Sequence, residues 1–560
     1  MTAHPTAAAT NGLTARPGLD AETHELGGHP PETVPADRHT PRADAQQWAM
    51  LLGVTLLVAV DGINSTATGV AGGDIKGTLH GTPDQFAWVG MLYLIGKLCG
   101  FLVGPYLAAR ASLRGLLLVQ AGVLFASALG AAFAETLATM WTMRLAHGIA
   151  GGLTLALGQA VVAMSLPYGR QPFYQYVLAA GSVIVPTGLA PWLQGWLAEN
   201  AHWSGIWLAT LPVTGIGAWL IATRMPATVP HELFNRRPFD WIGAVLMLLL
   251  VGPLTYVLVE GDRYNWFYEP KIVWLSLTAG LAFVAFVLWT SFRPRAHRLV
   301  DLSVIRRHPH FQFAMVVALM AGFILFGGGA MIQGMIVGPM AYPPDAAGWL
   351  IFNTTWPLVV SFAVATWLMQ KRGVDPMKMP VLGLTIMVAA LIWLSTVSTP
   401  IPESHVLIGI LLRGGAMGLL FLSLTMDWIW GVRRDEMPLA SSLFNFNRQL
   451  GGMIGTAALG TYMSRHGESV RQTFSRSLDA GRGEYQAYQA KLEQLLLSRG
   501  VPPEEAARMA PKMIADTLAH QTAATTFTSV FLVVVAVILV AGPMVGGLFL
   551  FVKRQEKHAH

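Results

Sequence analysis

Apolar runs recur along almost the whole chain after a polar beginning, and each is long enough to cross a bilayer as a helix, which takes about 20 residues. Only 12% of the 560 residues are charged, whereas a soluble domain carries about 25%. The formal net charge of +6 does not indicate a nucleic-acid-binding protein, because the Lys and Arg residues lie in short loops between the runs. The sequence therefore predicts an all-α polytopic membrane protein.

The apolar runs predict fourteen spans in three regions. Residues 46–225 are predicted to form a six-helix bundle, residues 226–309 to hold an inserted helix pair (spans 7 and 8) between basic loops, and residues 310–560 to form a second six-helix bundle. Residues 1–45 are polar and predict a disordered tail. The predicted span centres are Leu56, Ile95, Val123, Ile149, Val185, Val213, Leu249, Ala282, Phe323, Val359, Met387, Met417, Ile454 and Val537.

Basic residues are distributed unequally between the two sides of the predicted bundle. Most Arg residues, Arg170 and Arg224 among them, fall on one side, whereas the short loops of the other side offer only Lys76, Arg263 and Lys271. Because loops rich in Lys and Arg stay in the cytoplasm, this asymmetry predicts that both termini are cytoplasmic.

The sequence offers little that would predict a metal site, a cofactor site or a nucleotide-binding site. The single cysteine, Cys99, lies inside a span, so neither a disulfide nor a cysteine metal site is predicted. No phosphate-binding Gly-Lys-Ser/Thr loop is present, which argues against a built-in ATPase.

The fifth predicted span, around residues 177–203, combines glycines with prolines. Gly181, Gly188 and Gly195 recur every seven residues, so they share nearly one helix face and allow close packing. Pro186 and Pro191 interrupt the same helix, and in a membrane the carbonyl groups that they free must be satisfied by neighbours or a cavity. The pattern predicts a bent helix that lines a cavity; the alternative is an ordinary packed helix with accidental prolines.

Two charged residues lie inside the first two spans, where a charge is costly. Asp61 is followed by polar residues such as Asn64, and a carboxylate at this depth can take up and release a proton. A structural ion pair is the alternative. Lys97 can pair with Asp61 from the adjacent helix, or it can bind an acidic group of a substrate.

Span 4 carries Arg144 and His147 on one face, with Gln159 near the same face. Arg144 stays charged, so it can tune a neighbour or bind a carboxylate but cannot carry the proton. His147 is expected to be packed and hydrogen-bonded rather than a proton carrier. The predicted proton-coupling residues are Asp61, Lys97 and Arg144, and the candidate substrate-binding residues are Asn64, Tyr93, Lys97, His147, Gln159 and Trp356.

The second half contributes Arg413, Asp427 and Arg448. Arg448 is expected near the cytoplasmic end of its span, in a structural role. Asp427 is either a second acidic site or an interfacial residue near Arg433, and the interfacial position is favoured.

A long external loop, residues 464–523, precedes the last span. Its first segment predicts a helix that ends at Gly500, and its second predicts a helix that begins at Pro502 and Pro503. The loop either packs on the protein's own outer face or docks a partner. One face of the first helix is predicted to carry Tyr485, Tyr488, Leu492, Leu495 and Leu496.

Several of these segments resemble one known family. In span 5, LAPWLQGWLAENAHWSGIWLATLPVTG is similar to the antiporter signature Gly-Pro-x-x-Gly-Gly, with Pro191 and Gly195 in place and with Ala190 and Gln194 replacing two glycines. In span 4, RLAHG is similar to the pattern Arg-x-x-Gln-Gly, with His147 at the Gln position.

The chain thus resembles the major facilitator superfamily, in its fourteen-span drug:proton antiporter group of EmrB/QacA type, from about Trp48 to Phe551. Asp61 matches the acidic residue of the family's first-span motif. The loop after span 2, PYLAARASLR, departs from the family's Gly-x-Leu-Ala-Asp-Arg gate at Pro105, Ala109 and Ser112.

The resemblance implies two six-helix bundles plus an inserted pair, and proton-coupled multidrug efflux of small amphipathic compounds across the bacterial inner membrane by alternating access. It also implies that the pump needs no cofactor, and that in the EmrB branch it works with a periplasmic membrane-fusion protein and an outer-membrane channel, with the loop from Ser464 as the docking element. The residues that it implies for the conformational change are Gly181, Pro186, Gly188, Pro191, Gly195 and Arg110.

Two other function classes stay open at this stage. A dedicated exporter or proton symporter of an organic acid or other metabolite would use Lys97 to hold the acid. A membrane enzyme such as an acyltransferase would need a Ser/His or His/Asp constellation, and His147 has no evident partner in the sequence.

Overall fold

Fourteen helical segments correspond to the predicted spans in the computed structural model, which describes residues 42–226, 239–294, 298–396, 402–477 and 483–559. Each of the fourteen predicted span centres lies in one of these segments, so the predicted all-helical architecture is confirmed. Among the described residues, twelve helices are long and apolar enough to cross a membrane. The predicted tail lies outside the described residues as far as residue 41, and so do parts of the basic loops that flank the inserted pair.

Spans 1 to 8 alternate in direction and are joined by short connections. Asp44 and Thr82 start spans 1 and 2 with capping boxes. In each box the cap side chain accepts the backbone N–H of a glutamine three residues later, and the side chain of that glutamine accepts the backbone N–H of the cap residue. These spans cover Ala45–Gly69, Pro83–Ala108, Leu113–Ala132, Leu137–Ser165, Tyr168–Asn200, Gly205–Arg224, Trp241–Glu260 and Pro270–Phe292.

Spans 9 to 14 form the second half. Span 11 has only 17 residues, and the helix of span 13 mixes apolar with polar residues. The helices of this half cover Phe311–Val337, Pro344–Arg372, Met379–Ser395, Glu403–Ile429, Met437–Ser477 and Pro503–Ala559.

The two ends of the bundle differ in charge. One end, which we call the basic end, carries Arg110, Arg170, Arg224, Arg293 and Arg372 at or beside the ends of their spans. The other end, which we call the opposite end, carries the loops after spans 1, 7 and 9.

Spans 2 and 4 pack more closely than ordinary side chains would allow. A side-chain carbon added to Gly148 or Gly152 of span 4 would overlap the backbone of span 2, and one added to Gly96 would lie 2.5 Å from the Leu145 carbonyl oxygen. Glycine at these positions therefore lets the two backbones touch, which brings the polar side chains of span 2 against span 4.

The inserted pair is fastened at the basic end by Asp240. This buried carboxylate accepts hydrogen bonds from the Gly243 and Leu299 backbone N–H groups (3.0 and 3.1 Å) and from the Trp289 indole (3.0 Å), and it forms an ion pair with Arg293. Because these partners belong to span 7, span 8 and the following loop, one carboxylate orients the whole insert.

Beyond the opposite end, spans 13 and 14 continue as long helices joined through a helical hairpin. The helix of span 13 extends to Ser477, so it does not end near Ser464, and a helix at Gly483–Ser498 packs antiparallel to the start of Pro503–Ala559. Gly500, with φ +84°, lies in the turn, as predicted.

The hairpin buries part of the predicted apolar face and leaves the rest exposed. Leu496 is buried against Ala506 and Ala510. Tyr488 and Leu495 are 46% and 44% exposed, so this part of the predicted face is not covered by the described residues. The buried cluster lies at the turn end of the shorter helix.

Candidate functional site

Asp61, Tyr93 and Lys97 form a closed triangle of contacts inside the membrane. The Lys97 ammonium donates to Asp61 Oδ2 and to the Tyr93 hydroxyl oxygen, and the Tyr93 hydroxyl donates to Asp61 Oδ1, all at 2.8 Å. All three residues are buried. The pairing of Asp61 with Lys97, one of the two alternatives for Lys97, is therefore present.

The helices place these groups together by simple spacing. Tyr93 and Lys97 are one turn apart on span 2, and Asp61 comes from span 1. Gly151 of span 4 faces the Asp61 carboxylate so closely that any side chain there would displace it. The glycine-rich contact of span 4 thus creates the space that the carboxylate occupies.

Arg144 joins the same cluster from span 4. Its guanidinium donates to the backbone carbonyls of Asn64 (2.8 Å) and Val89 (3.4 Å) and lies 4.4 Å from the centre of the Tyr93 ring. Its Nη2 has no hydrogen-bond partner among the described residues. Arg144 therefore ties spans 1, 2 and 4 together while keeping donor capacity.

A cavity of about 560 Å³ lies between the two halves, with this cluster in one wall. The first half contributes Asp61, Tyr93, Lys97 and Arg144, together with residues of span 5. Spans 7, 9, 12 and 13 form the remaining walls through residues that include Leu258, Val259, Phe326, Phe421, Arg448, Gln449 and Met453.

Arg448 lies in the cavity wall formed by the second half. The prediction that it lies near the cytoplasmic end of its span was therefore wrong. Arg448 lies in the interior of the helix that begins at Met437, lines the cavity, and donates to Asn445 Oδ1 at 2.8 Å. Span 13 is less apolar than the other spans, so hydropathy located its ends poorly and put Arg448 too close to the surface.

Four predicted substrate residues do not line this cavity. Asn64 is buried behind it and donates to the Thr210 hydroxyl (3.3 Å), and His147 is hydrogen-bonded to Ser127 (3.0 Å) between spans 3 and 4. Gln159 accepts from Asn445 (2.8 Å) where the two halves meet, beside a smaller cavity. Trp356 is 61% exposed on the outer surface. Tyr93 and Lys97 do line the cavity, and the packed, hydrogen-bonded position expected for His147 is confirmed.

Span 5 changes its winding where the prolines lie. An α-helix at Gln171–Ala179 passes into a π-helical segment at Ala180–Leu189 and then into a second α-helix at Ala190–Asn200. Pro186, which lacks a backbone donor, lies in the π segment and lines the cavity with Ser182 and Thr187. The prediction that this helix lines a cavity is confirmed.

The three glycines of span 5 do not face one neighbour, contrary to expectation. Gly181 faces Thr55 of span 1, whereas Gly188 and Gly195 face Thr355 and Pro344 of span 10. The π segment is the reason, because its wider turn means that seven residues no longer correspond to two turns. Span 5 therefore connects the two halves.

The remaining predicted charges lie away from the cluster. Asp427 is half-buried two residues before the end of span 12, which agrees with the favoured interfacial position, but Arg433 pairs with Asp435 instead. Arg413 is buried and donates to the Leu325 carbonyl at 2.9 Å. Arg110 lies on the Tyr106 ring, 3.4 Å from its centre, at the basic end of span 2.

Sequence reasoning missed three features of this region. It did not identify Ser127 as the partner of His147, the cavity-lining part of span 7, or the Asn445–Arg448 pair. Only the last had a local signal, because Ser441, Asn445 and Arg448 recur at helical spacing and form one polar face of span 13.

Comparisons with known proteins identify a family and several similar proteins. The Major Facilitator Superfamily model matches residues 54–456. The chain is 25% identical to the multidrug export protein EmrB of Haemophilus influenzae over 76% of this chain and 82% of that protein, and 24% identical to the fatty acid resistance protein FarB of Neisseria gonorrhoeae over 77% and 83%. The structure of the human organic anion transporter MFSD10 superposes with a TM-score of 0.54 at 13% identity, covering 89% of this chain and 100% of that chain.

Proposed function

The chain belongs to the major facilitator superfamily, a family of transporters, and on that premise we propose that it is a proton-coupled exporter of small amphipathic compounds. Its similarity to a protein named for multidrug export supports the substrate range and the direction. Alternating access about the cavity between the two halves would move the substrate.

The observation that carries this proposal is the position of Asp61. Its carboxylate is buried in the cavity wall and holds Lys97 and Tyr93, which belong to another helix. Protonation of Asp61 removes the charge that attracts the Lys97 ammonium, so it weakens the contact between spans 1 and 2. A proton thereby changes the relative stability of two helix arrangements, which is what coupling requires.

Location and partners form a second part of the proposal. We propose that the basic end faces the cytoplasm of a bacterium and that the chain lies in the inner membrane, because basic loops are retained on the cytoplasmic side. The helical hairpin beyond the opposite end would then stand in the periplasm. There it would contact a membrane-fusion protein that connects the pump to an outer-membrane channel.

Drug susceptibility of a pump-deficient Gram-negative host tests the exporter proposal. The wild-type chain, produced with its fusion-protein partner, is expected to protect against amphipathic drugs, whereas Asp61→Asn is expected to leave the host as sensitive as one without the pump. The amide keeps the size of the side chain but cannot carry the proton.

Asp74→Asn is the matched control, since Asp74 is an exposed carboxylate in the short helix Gly72–Thr78 that follows span 1. It should protect as well as the wild type at equal membrane abundance. Full protection by Asp61→Asn would refute the coupling role, and absence of protection by the wild type against every compound would refute multidrug export.

A further inference from the structure

The charged residues that line the cavity do not balance. Asp61 and Lys97 neutralise each other in their ion pair, and Asp262, which accepts from the Ser464 hydroxyl (2.6 Å), belongs to the loop after span 7 at the opposite end of the bundle. Arg144 and Arg448 remain, and among the described residues no carboxylate lies within 4.0 Å of either guanidinium. The deep part of the cavity therefore carries an excess of positive charge.

Arg448 keeps more of its donors available for a ligand than Arg144, in which Nη2 lacks a partner. Arg144 donates hydrogen bonds to two backbone carbonyls, whereas Arg448 donates to one neutral group, the Asn445 amide oxygen. It is 8% exposed, and its guanidinium carbon lies 5.2 Å from the centre of the Phe421 ring. A buried charge in a membrane protein is costly without an opposite charge, so its presence here calls for an intermittent counter-ion.

The surroundings of Arg448 suit a ligand with an apolar body. Phe326, Phe421 and Met453 lie in the same walls, and Leu94 lies on the other side. An arginine guanidinium presents a planar set of donors that matches a carboxylate with two parallel hydrogen bonds. The cavity therefore combines one anion-binding group with apolar walls.

We propose that Arg448 binds the acidic group of the transported compound, so that the preferred substrates are amphipathic organic anions with a carboxylate at Arg448 and an apolar body along Phe421 and Met453. This inference rests on the proposed export function and narrows its substrate class. Asn445 acts as a positioning residue, because its amide oxygen holds the guanidinium toward the cavity.

Binding to the purified full-length protein in lipid nanodiscs tests this inference. 1-Naphthaleneacetate and 1-naphthaleneacetamide have the same skeleton and differ in charge, and calorimetric titration of each gives the preference for the anion. One charge-assisted contact predicts that the wild type binds the carboxylate about 10-fold to 100-fold more tightly than the amide. Arg448→Gln should remove that preference and leave binding of the amide unchanged.

Two further variants separate recognition from folding. Arg448→Lys keeps the charge without the planar donors and should retain part of the preference. Arg413→Gln removes a buried arginine of the same half that does not line the cavity, so it should retain the full preference. If Arg448→Gln weakened binding of the carboxylate and of the amide equally, Arg448 would have a structural role and the inference would be overturned.

The outcomes also distinguish this inference from the export proposal. Equal binding of carboxylate and amide by the wild type, or no binding of the carboxylate, overturns the anion preference. If the same chain still protects a pump-deficient host in an Asp61-dependent way, export stands and only the substrate class is wrong. Absence of protection together with a clear carboxylate preference would instead refute export and leave the anion site.

Discussion

Asp61 and Lys97 depend on each other because each would be a lone charge inside the membrane without its partner. Their side chains are only 3% and 9% exposed, and Tyr93 satisfies both with one hydroxyl group. Removing one member of a buried ion pair costs more than removing both, since the remaining charge stays buried without an opposite charge.

Lys97→Met is therefore expected to destabilise the protein by about 3 to 5 kcal/mol, and the double variant Asp61→Asn/Lys97→Met should recover much of that loss. Thermal unfolding of the purified variants in one detergent measures both effects. Additive losses in the double variant would contradict this account, because they would mean that the two side chains do not stabilise each other.

Single residues could be predicted from the sequence where they stood out against an apolar background. Asp61, Lys97 and Arg144 each interrupt a strongly apolar run, so their depth was evident, and all three line the cavity. Arg448 lies in a span that already contains Asn445, Asn447 and Gln449, so its depth did not stand out. The partners of each charge were not predictable, because they depend on how the helices pack.

The positions of the helices were predicted well, but changes of helix type within a span were not. The prolines of span 5 predicted an irregularity, but a bend and a π segment cannot be told apart in the sequence, and only the π segment turns Gly188 and Gly195 toward span 10. The same limit applies to the external hairpin, where the pattern predicted two helices but not which apolar residues would meet.

The exposed side chains of that hairpin define a second prediction at this scale. Tyr488 and Leu495 are large, nearly half exposed and do not line the cavity. If the hairpin contacts a membrane-fusion protein, Tyr488→Glu/Leu495→Glu should lower protection of whole cells, because the contact area becomes charged. Transport by the pump alone in proteoliposomes should not change.

Ala487→Glu/Ala490→Glu supplies the control, since it adds the same charge at exposed alanines of the same helix. It should protect normally. Equal loss of protection in both double variants would point to general disturbance of the hairpin, and unchanged protection in both would show that this helix does not contribute to docking.

The whole molecule is held together across its two halves near both ends. At the basic end, Gln370 of span 10 donates to the Arg170 backbone carbonyl of span 5 at 3.4 Å. Toward the opposite end, the rings of Trp192 and Phe352 of the same two spans lie 5.7 Å apart. Alternating access requires that these two contacts open in turn, because the substrate must leave by one end and the site must be reset through the other.

Cross-linking either contact should therefore stop transport. In a Cys99→Ala background, which removes the single native thiol, the pairs Arg170→Cys/Gln370→Cys and Trp192→Cys/Phe352→Cys can each be joined with a short bis-methanethiosulfonate reagent. Substrate uptake into inverted vesicles should fall to that of empty vesicles after joining and return when a reducing agent cleaves the link. The four single-cysteine variants, treated in the same way, should keep their activity.

Continued transport with the basic-end pair fully joined would mean that this end does not open, so the two halves would have to move about a different axis. Continued transport with the other pair joined would place the exit path away from spans 5 and 10, on the side where span 7 lines the cavity.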